Sequence, residues 1–97
     1  MEQLQQDLVN YGPIGVGVYA SGSFSYAGPS GLIDCTYSGQ IDHAILLVGY
    51  NTTHWFVKNS WGTTGWGDNG YGYISKNTNK DCHIRQYVTE MVVDFGF

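Results

Sequence analysis

The stretch IDHAILLVGY at residues 41–50, followed by WFVKNSWG at residues 55–62, decides the fold of this chain. Apolar residues fill 44–50 and dominate 55–59, which favours two strands. The residues between them have the length of a hairpin turn, so we predict an antiparallel pair. His43 opens the first strand and Asn59 ends the second.

These two polar residues are of the types that a thiol nucleophile needs beside it: a base, and a group that fixes the orientation of the base. Histidine side chains in general can act as acid or base near neutral pH, and beside a thiol His43 would form a thiolate–imidazolium pair. Asn59 would accept a hydrogen bond from the second ring nitrogen, and Trp61 would shield that contact from water. Two parts of a thiol-based site are therefore predicted, and the nucleophile is missing.

The runs DHAILLVGY and WFVKNSWGTTGWGDNGYGYI resemble the second half of the papain family of cysteine peptidases, which includes the cathepsins. The resemblance extends from the helix that ends at Gly12-Pro13 to about Val93. It implies an α+β domain over residues 1–97, with an antiparallel, barrel-like sheet and one N-terminal helix. This is the right-hand domain of the papain-like fold, with the N-terminal domain that carries the nucleophile absent.

The resemblance also implies roles for individual residues. His43 would be the catalytic base, Asn59 its orienter and Trp61 the aromatic shield. Asp42 would modulate the local field, and the substrate cleft would be lined by Gly17, Ile41 and Ala44 as well as Asp42. A disulfide is implied between Cys35 and Cys82.

The chain departs from the family pattern at three points. It contains neither the oxyanion-hole glutamine nor the Cys-Gly-Ser-Cys-Trp-like run that holds the nucleophile. Cys35 and Cys82 stand in other sequence contexts. The run at residues 60–67 is one residue longer than the usual form, which leaves the position of Trp66 open.

Two cysteines in a small, glycine-rich domain by themselves suggest one bridge. A bridge that closes this loop would stabilise the fold by about 4 kcal/mol in the chain-entropy model. The alternatives are two free thiols in a cytosolic protein, or Cys82 as a displaced nucleophile. Together with Asp42, His43, His54 and His83 the cysteines also invite comparison with a zinc site, but no metal-ligand spacing is present, so we expect no metal and no cofactor.

Composition restricts the function further. A net charge of -4 with only four Lys and Arg argues against nucleic-acid and anionic-membrane partners. The chain has no apolar run of about 20 residues and no secretion-signal pattern. The resemblance implies a lysosomal, vacuolar or secreted protein, and Asn51-Thr52-Thr53 is an N-glycosylation triplet, so Asn51 is a possible glycosylation site.

Local patterns predict the remaining elements. Leu4, Leu8 and Tyr11 recur at helical spacing ahead of Gly12-Pro13. Apolar residues alternate with glycine over 14–19, which predicts a strand with one bare face. We predict a long loop over 21–39, a glycine-rich loop over 62–70, a strand over 71–75 and an extended segment over 83–93.

Three interpretations remain open. In the first, the chain supplies the His43 and Asn59 half of a cysteine-peptidase site, with a peptide or protein substrate and the missing nucleophile domain as partners. In the second, it is a non-catalytic homologue that grips extended peptides near Gly17. In the third, it is one chain of a processed two-chain enzyme or an isolated fragment.

Overall fold

The computed structural model describes residues 2–35 and 39–89. The elements in chain order are α1 (Gln3–Tyr11), β1 (Ile14–Val18), α2 (Gly22–Ser25), β2 (Leu32–Ile33), β3 (His43–Tyr50), β4 (His54–Lys58), β5 (Tyr71–Ser75) and β6 (Tyr87–Thr89). The predicted hairpin of β3 and β4 and the predicted strand β5 are present.

The six strands form one sheet in the order β2-β5-β4-β3-β1-β6. The central β3–β4 pair is antiparallel, with Leu46 opposite Lys58 and Tyr50 opposite Trp55. Only the short β2 runs parallel to its neighbour, β5, in the part of the chain described. The predicted α+β class is confirmed. The described sheet is open, with β2 and β6 at its edges, and it is not closed into a barrel.

The core lies between the sheet and α1, which packs against β1 and β3. Alternate residues of β4 and β5 are buried, whereas β1 buries Ile14, Gly15 and Val16 in succession. Burial of each large aliphatic side chain contributes roughly 1.5–3 kcal/mol before entropic costs. The fully buried strand residues with the largest side chains are Ile14, Val16, Val18, Ile33, Ile45, Leu47, Trp55, Val57 and Ile74.

The predicted loop over 21–39 contains two short elements, α2 and β2. Ser21 caps α2, since its Oγ accepts a hydrogen bond from the backbone N–H of Phe24 at 3.3 Å. Phe24 is fully buried. The loop prediction was therefore wrong for these residues, because an element of four residues or fewer is too short to show a period in sequence.

The predictions for the two ends of the described chain were correct only in part. α1 stops where Gly12, with φ 77°, donates its backbone N–H to Leu8 O at 2.9 Å. Tyr11 is 50% exposed and does not join the apolar stripe. Residues 82–86 form turns ahead of β6, and the rest of the predicted extended segment lies outside the described residues. No described helix has the length and apolar character needed to cross a bilayer.

Candidate active site

His43 is the first residue of β3 and lies opposite Val18 of β1. Its Nε2 is 2.8 Å from Asn59 Oδ1, so Nε2 carries the proton and donates it to the amide oxygen. Because Nε2 is used in this bond, Nδ1 is the ring nitrogen that remains to receive a proton from a nucleophile. The contact therefore selects one tautomer of the imidazole.

The strand register explains why this contact forms. Leu46 of β3 lies opposite Lys58 of β4. Because the two strands are antiparallel, each residue that precedes Leu46 lies opposite a residue that follows Lys58. His43 is consequently level with the segment that follows β4, which begins at Asn59. The backbone N–H of Asn59 donates to Gly70 O at 3.0 Å and fixes the start of that segment.

Asn59 is a buried polar residue, only 4% exposed. Its Oδ1 accepts hydrogen bonds from His43 Nε2 and from the backbone N–H of Ser60, each at 2.8 Å. Its Nδ2 is buried and has no hydrogen-bond partner among the described residues. A buried amide donor without an acceptor costs free energy, typically 1–3 kcal/mol in protein interiors, so this side chain is only partly satisfied here.

Aromatic rings surround His43. The Trp61 ring stacks on the imidazole with centroids 4.8 Å apart and an interplanar angle of 28°. Phe24 presents an edge-on contact at 5.7 Å. Trp66 is buried and donates from Nε1 to Phe24 O at 2.7 Å, which settles the position left open by the longer loop. The imidazole thus has one aromatic ring stacked on it and a second in edge contact.

Phe24 is a site residue that the sequence interpretation missed. It touches His43, Trp61 and Trp66 through ring contacts between 5.1 and 5.8 Å. The only local signal was Ser21 three residues earlier, the spacing of a side-chain cap. A serine in a segment rich in glycine, serine and tyrosine favours a loop just as well.

Asp42 does not orient His43 through its carboxylate. Its Oδ1 accepts from the backbone N–H of Ala20 at 2.9 Å, and its own backbone N–H donates to Val18 O at 3.1 Å. Asp42 therefore ties the start of β3 to the chain leaving β1. The predicted role of Asp42 as a modulator of the local field stays a prediction.

The three predicted cleft residues lie close to His43 in the fold. Gly17 pairs with Ala44 across β1 and β3, immediately beside the pair of Val18 and His43. Ala44 is exposed, while Gly17 and Ile41 are half-buried. This strip is accessible next to the imidazole.

Cys35 and Cys82 form a disulfide with their Cα atoms 5.1 Å apart, and both residues are fully buried. The chain has two cysteines, so neither is a free thiol. Cys82 O also accepts from the backbone N–H of Tyr19 at 2.9 Å, which links the bridge to the end of β1.

The other two histidines lie apart from His43 and have local partners. His54 Nδ1 is 2.8 Å from the hydroxyl of Thr53 in the hairpin turn. His83 Nδ1 is 2.9 Å from Gln86 Nε2. Of the contacts that the structure describes, those of His43 include both an amide partner and a stacked indole.

The sequence of this chain matches a known protein family. The family model for papain family cysteine proteases matches residues 1–92 of this sequence. A cysteine proteinase of Trypanosoma brucei brucei is 40% identical over 90 residues, covering 89% of this chain and 19% of that protein. Cathepsin S of Mus musculus is 38% identical over 93 residues, covering 89% of this chain and 26% of that protein.

Solved structures agree. A Carica candamarcensis cysteine protease in complex with E-64 superposes with a TM-score of 0.73 at 34% identity, covering 88% of this chain and 40% of that one. Procathepsin L 3 of Tenebrio molitor gives 0.69 at 28% identity, covering 88% and 29%. The chain thus spans about a quarter or less of the trypanosomal and mouse relatives. It belongs to the papain family of cysteine proteases.

Proposed function

We propose that this chain supplies the base half of a cysteine-peptidase active site, with His43 as the base and Asn59 as its orienter. The observation that carries the proposal is the 2.8 Å contact between His43 Nε2 and Asn59 Oδ1. It commits one ring nitrogen to the amide and leaves Nδ1 for a thiol. The substrate is a peptide or protein, as family membership suggests.

The nucleophile would come from the half of the protein that this chain does not contain. A cysteine thiol on that half would transfer its proton to His43 Nδ1, which gives a thiolate–imidazolium pair. The thiolate attacks the peptide carbonyl, and the imidazolium protonates the leaving amine. The neutral imidazole then removes a proton from water, which hydrolyses the thioester and releases the cysteine. Asn59 holds the ring in one orientation through both steps.

The accessory residues support the two steps in different ways. Trp61 and Phe24 shield the His43–Asn59 bond, while Asp42 fixes the backbone at the start of β3. The accessible strip of Gly17 and Ala44 is suited to an extended substrate backbone. We infer a lysosomal, vacuolar or secreted location, because buried disulfides are typical of oxidising compartments.

The test is hydrolysis of a fluorogenic dipeptide amide by the chain alone and after mixing with the partner half that carries the nucleophile. We expect no hydrolysis by the lone chain. Activity should appear on mixing and should be abolished by E-64, the compound bound to the Carica protease. Inhibitor-sensitive hydrolysis by the lone chain would mean that Cys35 or Cys82 is a nucleophile, and the proposal would be wrong.

A non-catalytic peptide-binding module is the second candidate. The observation in its favour is that both cysteines of the chain lie in the disulfide. It predicts that the chain binds extended peptides without cleaving them, and that mixtures with the partner half remain inactive. Replacing Ala44 by Arg, which places a long side chain on the strip, should then weaken peptide binding measured by fluorescence anisotropy.

A further inference from the structure

Asn51 lies in the turn between β3 and β4, at the end of the hairpin away from His43. The three residues Asn51, Thr52 and Thr53 are all exposed. Asn51-Thr52-Thr53 is also the one Asn-x-Ser/Thr triplet in the 97 residues of the sequence. The turn is therefore a surface position with a single candidate acceptor of an N-linked sugar.

In this turn, the side-chain amide of Asn51 accepts hydrogen bonds through its oxygen, Oδ1. Its Oδ1 accepts from the backbone N–H groups of Thr53 at 2.9 Å and His54 at 2.8 Å, and from the Thr53 hydroxyl at 3.2 Å. All three bonds use the oxygen. The nitrogen, Nδ2, is the atom that a glycan would occupy, so glycosylation leaves the bonds that shape the turn intact.

Position and compartment agree with this chemistry. Seven residue steps of β3 separate His43 from Tyr50, so the turn lies roughly 20 Å from the imidazole at the usual rise of a strand. A glycan there would not cover the strip of Gly17 and Ala44. The buried Cys35–Cys82 disulfide independently indicates an oxidising compartment, where N-glycosylation takes place.

We propose that Asn51 is an N-glycosylation site that carries one glycan at the tip of the β3–β4 hairpin. The donor is an oligosaccharide linked to a lipid through pyrophosphate. Asn51 Nδ2 forms a bond to C1 of the first sugar, the bond between C1 and the pyrophosphate oxygen breaks, and the lipid pyrophosphate leaves while Nδ2 loses one proton. The proposal does not depend on whether His43 is catalytic.

The experiment is secretion of the full chain from a eukaryotic host behind a secretion leader, followed by peptide-N-glycosidase treatment and mass spectrometry. The wild-type chain should lose the mass of one glycan, with the modified position mapped to residue 51. Asn51→Asp should secrete without a glycan, because it keeps the accepting oxygen and removes the nitrogen. Thr53→Ser should keep the glycan, whereas Thr53→Ala should lose it.

The chain offers a matched control in a second exposed turn. Asn77 Oδ1 accepts from the backbone N–H of Asn79 at 3.0 Å, an arrangement like that of Asn51, but Asn77-Thr78-Asn79 lacks the third-position hydroxyl. Asn79→Thr completes a triplet there and should add a second glycan. A wild-type chain that is secreted without a glycan would overturn the proposal, most clearly if Asn79→Thr gains one at residue 77.

Discussion

The two ends of the β3–β4 hairpin are built differently. At the turn end, Lys76 Nζ lies 4.7 Å from the ring centroids of both Tyr50 and Trp55. Arg85 lies over Trp55 at 5.3 Å and donates to Glu2, to Asp81 and, at 2.9 Å, to Lys76 O. We call this the tied end, because each of its cations meets a ring, a carboxylate or a carbonyl.

The opposite end, formed by His43, Asn59 and Trp61, is the open end. Among the described residues the buried Asn59 Nδ2 has no acceptor, and Trp61 is 44% exposed although it is a large aromatic residue. The tied end also contains a buried donor without a partner among the described residues, Trp55 Nε1, so the exposed indole of Trp61 is what separates the two ends. The difference is what we expect if the tied end serves stability and the open end is completed by a second half of the protein.

Two basic side chains at the tied end have shifted pKa values. Burial lowers the pKa of Lys76, opposed by the charge of Glu2. Burial also acts to lower the pKa of Arg85, but the hydrogen bonds and charges of Glu2 and Asp81 outweigh it, and the net pKa is raised. Arg85 therefore stays charged over the whole range in which the protein is folded, so its ion pairs persist unless the carboxylates are protonated.

Replacing His43 should give the largest effect at the open end. In the mixture with the nucleophile half, His43→Ala removes the general base and acid, so we expect kcat to fall by roughly 10²- to 10⁴-fold. The measurement is hydrolysis of the dipeptide amide at saturating substrate.

The control for this variant is a histidine at the other end of the same hairpin. His54→Ala lies in the turn near the tied end, so its effect on kcat should stay within about twofold. Full activity in His43→Ala would show that the open end has no catalytic role. An equal loss in both variants would mean that the two ends do not differ.

Removing the disulfide should give the next largest effect, and on stability instead of activity. The bridge joins two residues that are 47 positions apart. In the chain-entropy model, closing a loop of this length stabilises the fold by about 4 kcal/mol. The double variant Cys35→Ser, Cys82→Ser should lose about that free energy of unfolding in a urea titration. A reducing agent should destabilise the wild type similarly and leave the double variant unchanged; an unchanged wild type would contradict the prediction.

The sequence predicted the hairpin, the helix α1 and the strand β5 because their patterns are local. The apolar runs over β3 and β4 and the Gly12 stop are visible within a window of a few residues. The pairing of Cys35 with Cys82 came from the family resemblance, and the disulfide in the structure matches it.

Other parts could not be predicted because they depend on contacts between distant residues. Glu2 and Arg85 are separated by 83 positions, and nothing near either residue indicates the other. Phe24 reaches His43 only after a four-residue helix turns it into the core. For the candidate site, the residue types at positions 43, 59 and 61 were available from sequence, whereas the unpaired Asn59 Nδ2 required the structure.

Replacing Arg85 tests the tied end. Arg85→Met keeps an unbranched side chain over Trp55 but removes the charge-assisted bonds to Glu2 and Asp81, so we expect the free energy of unfolding to fall by about 1.5–3 kcal/mol. Lys80→Met removes an exposed cation nearby in sequence and should change stability by less than about 0.5 kcal/mol. Equal urea midpoints for the two variants would show that the tied end does not stabilise the fold.

Replacing Trp61 should give the smallest effect and sharpens the comparison most, because this residue is exposed and yet contacts the imidazole. Trp61→Ala removes one stacked aromatic pair, an interaction of about 0.5–1.5 kcal/mol, which corresponds to a fall in kcat of roughly 2- to 10-fold. The free energy of unfolding should fall by less than for a core tryptophan, because the side chain is 44% exposed, although its edge contacts with Phe24 and Trp66 are lost too.

Trp61→Phe retains a ring over His43 and should recover most of the activity, whereas Tyr26→Ala removes an aromatic that is 87% exposed and should change neither quantity. If Trp61→Ala lowered stability as much as Arg85→Met and left kcat unchanged, the indole would belong to the packing of the domain. The open end would then be a stabilising surface like the tied end. A loss confined to kcat, with KM unchanged, is the result that requires the indole to act through the orientation of His43.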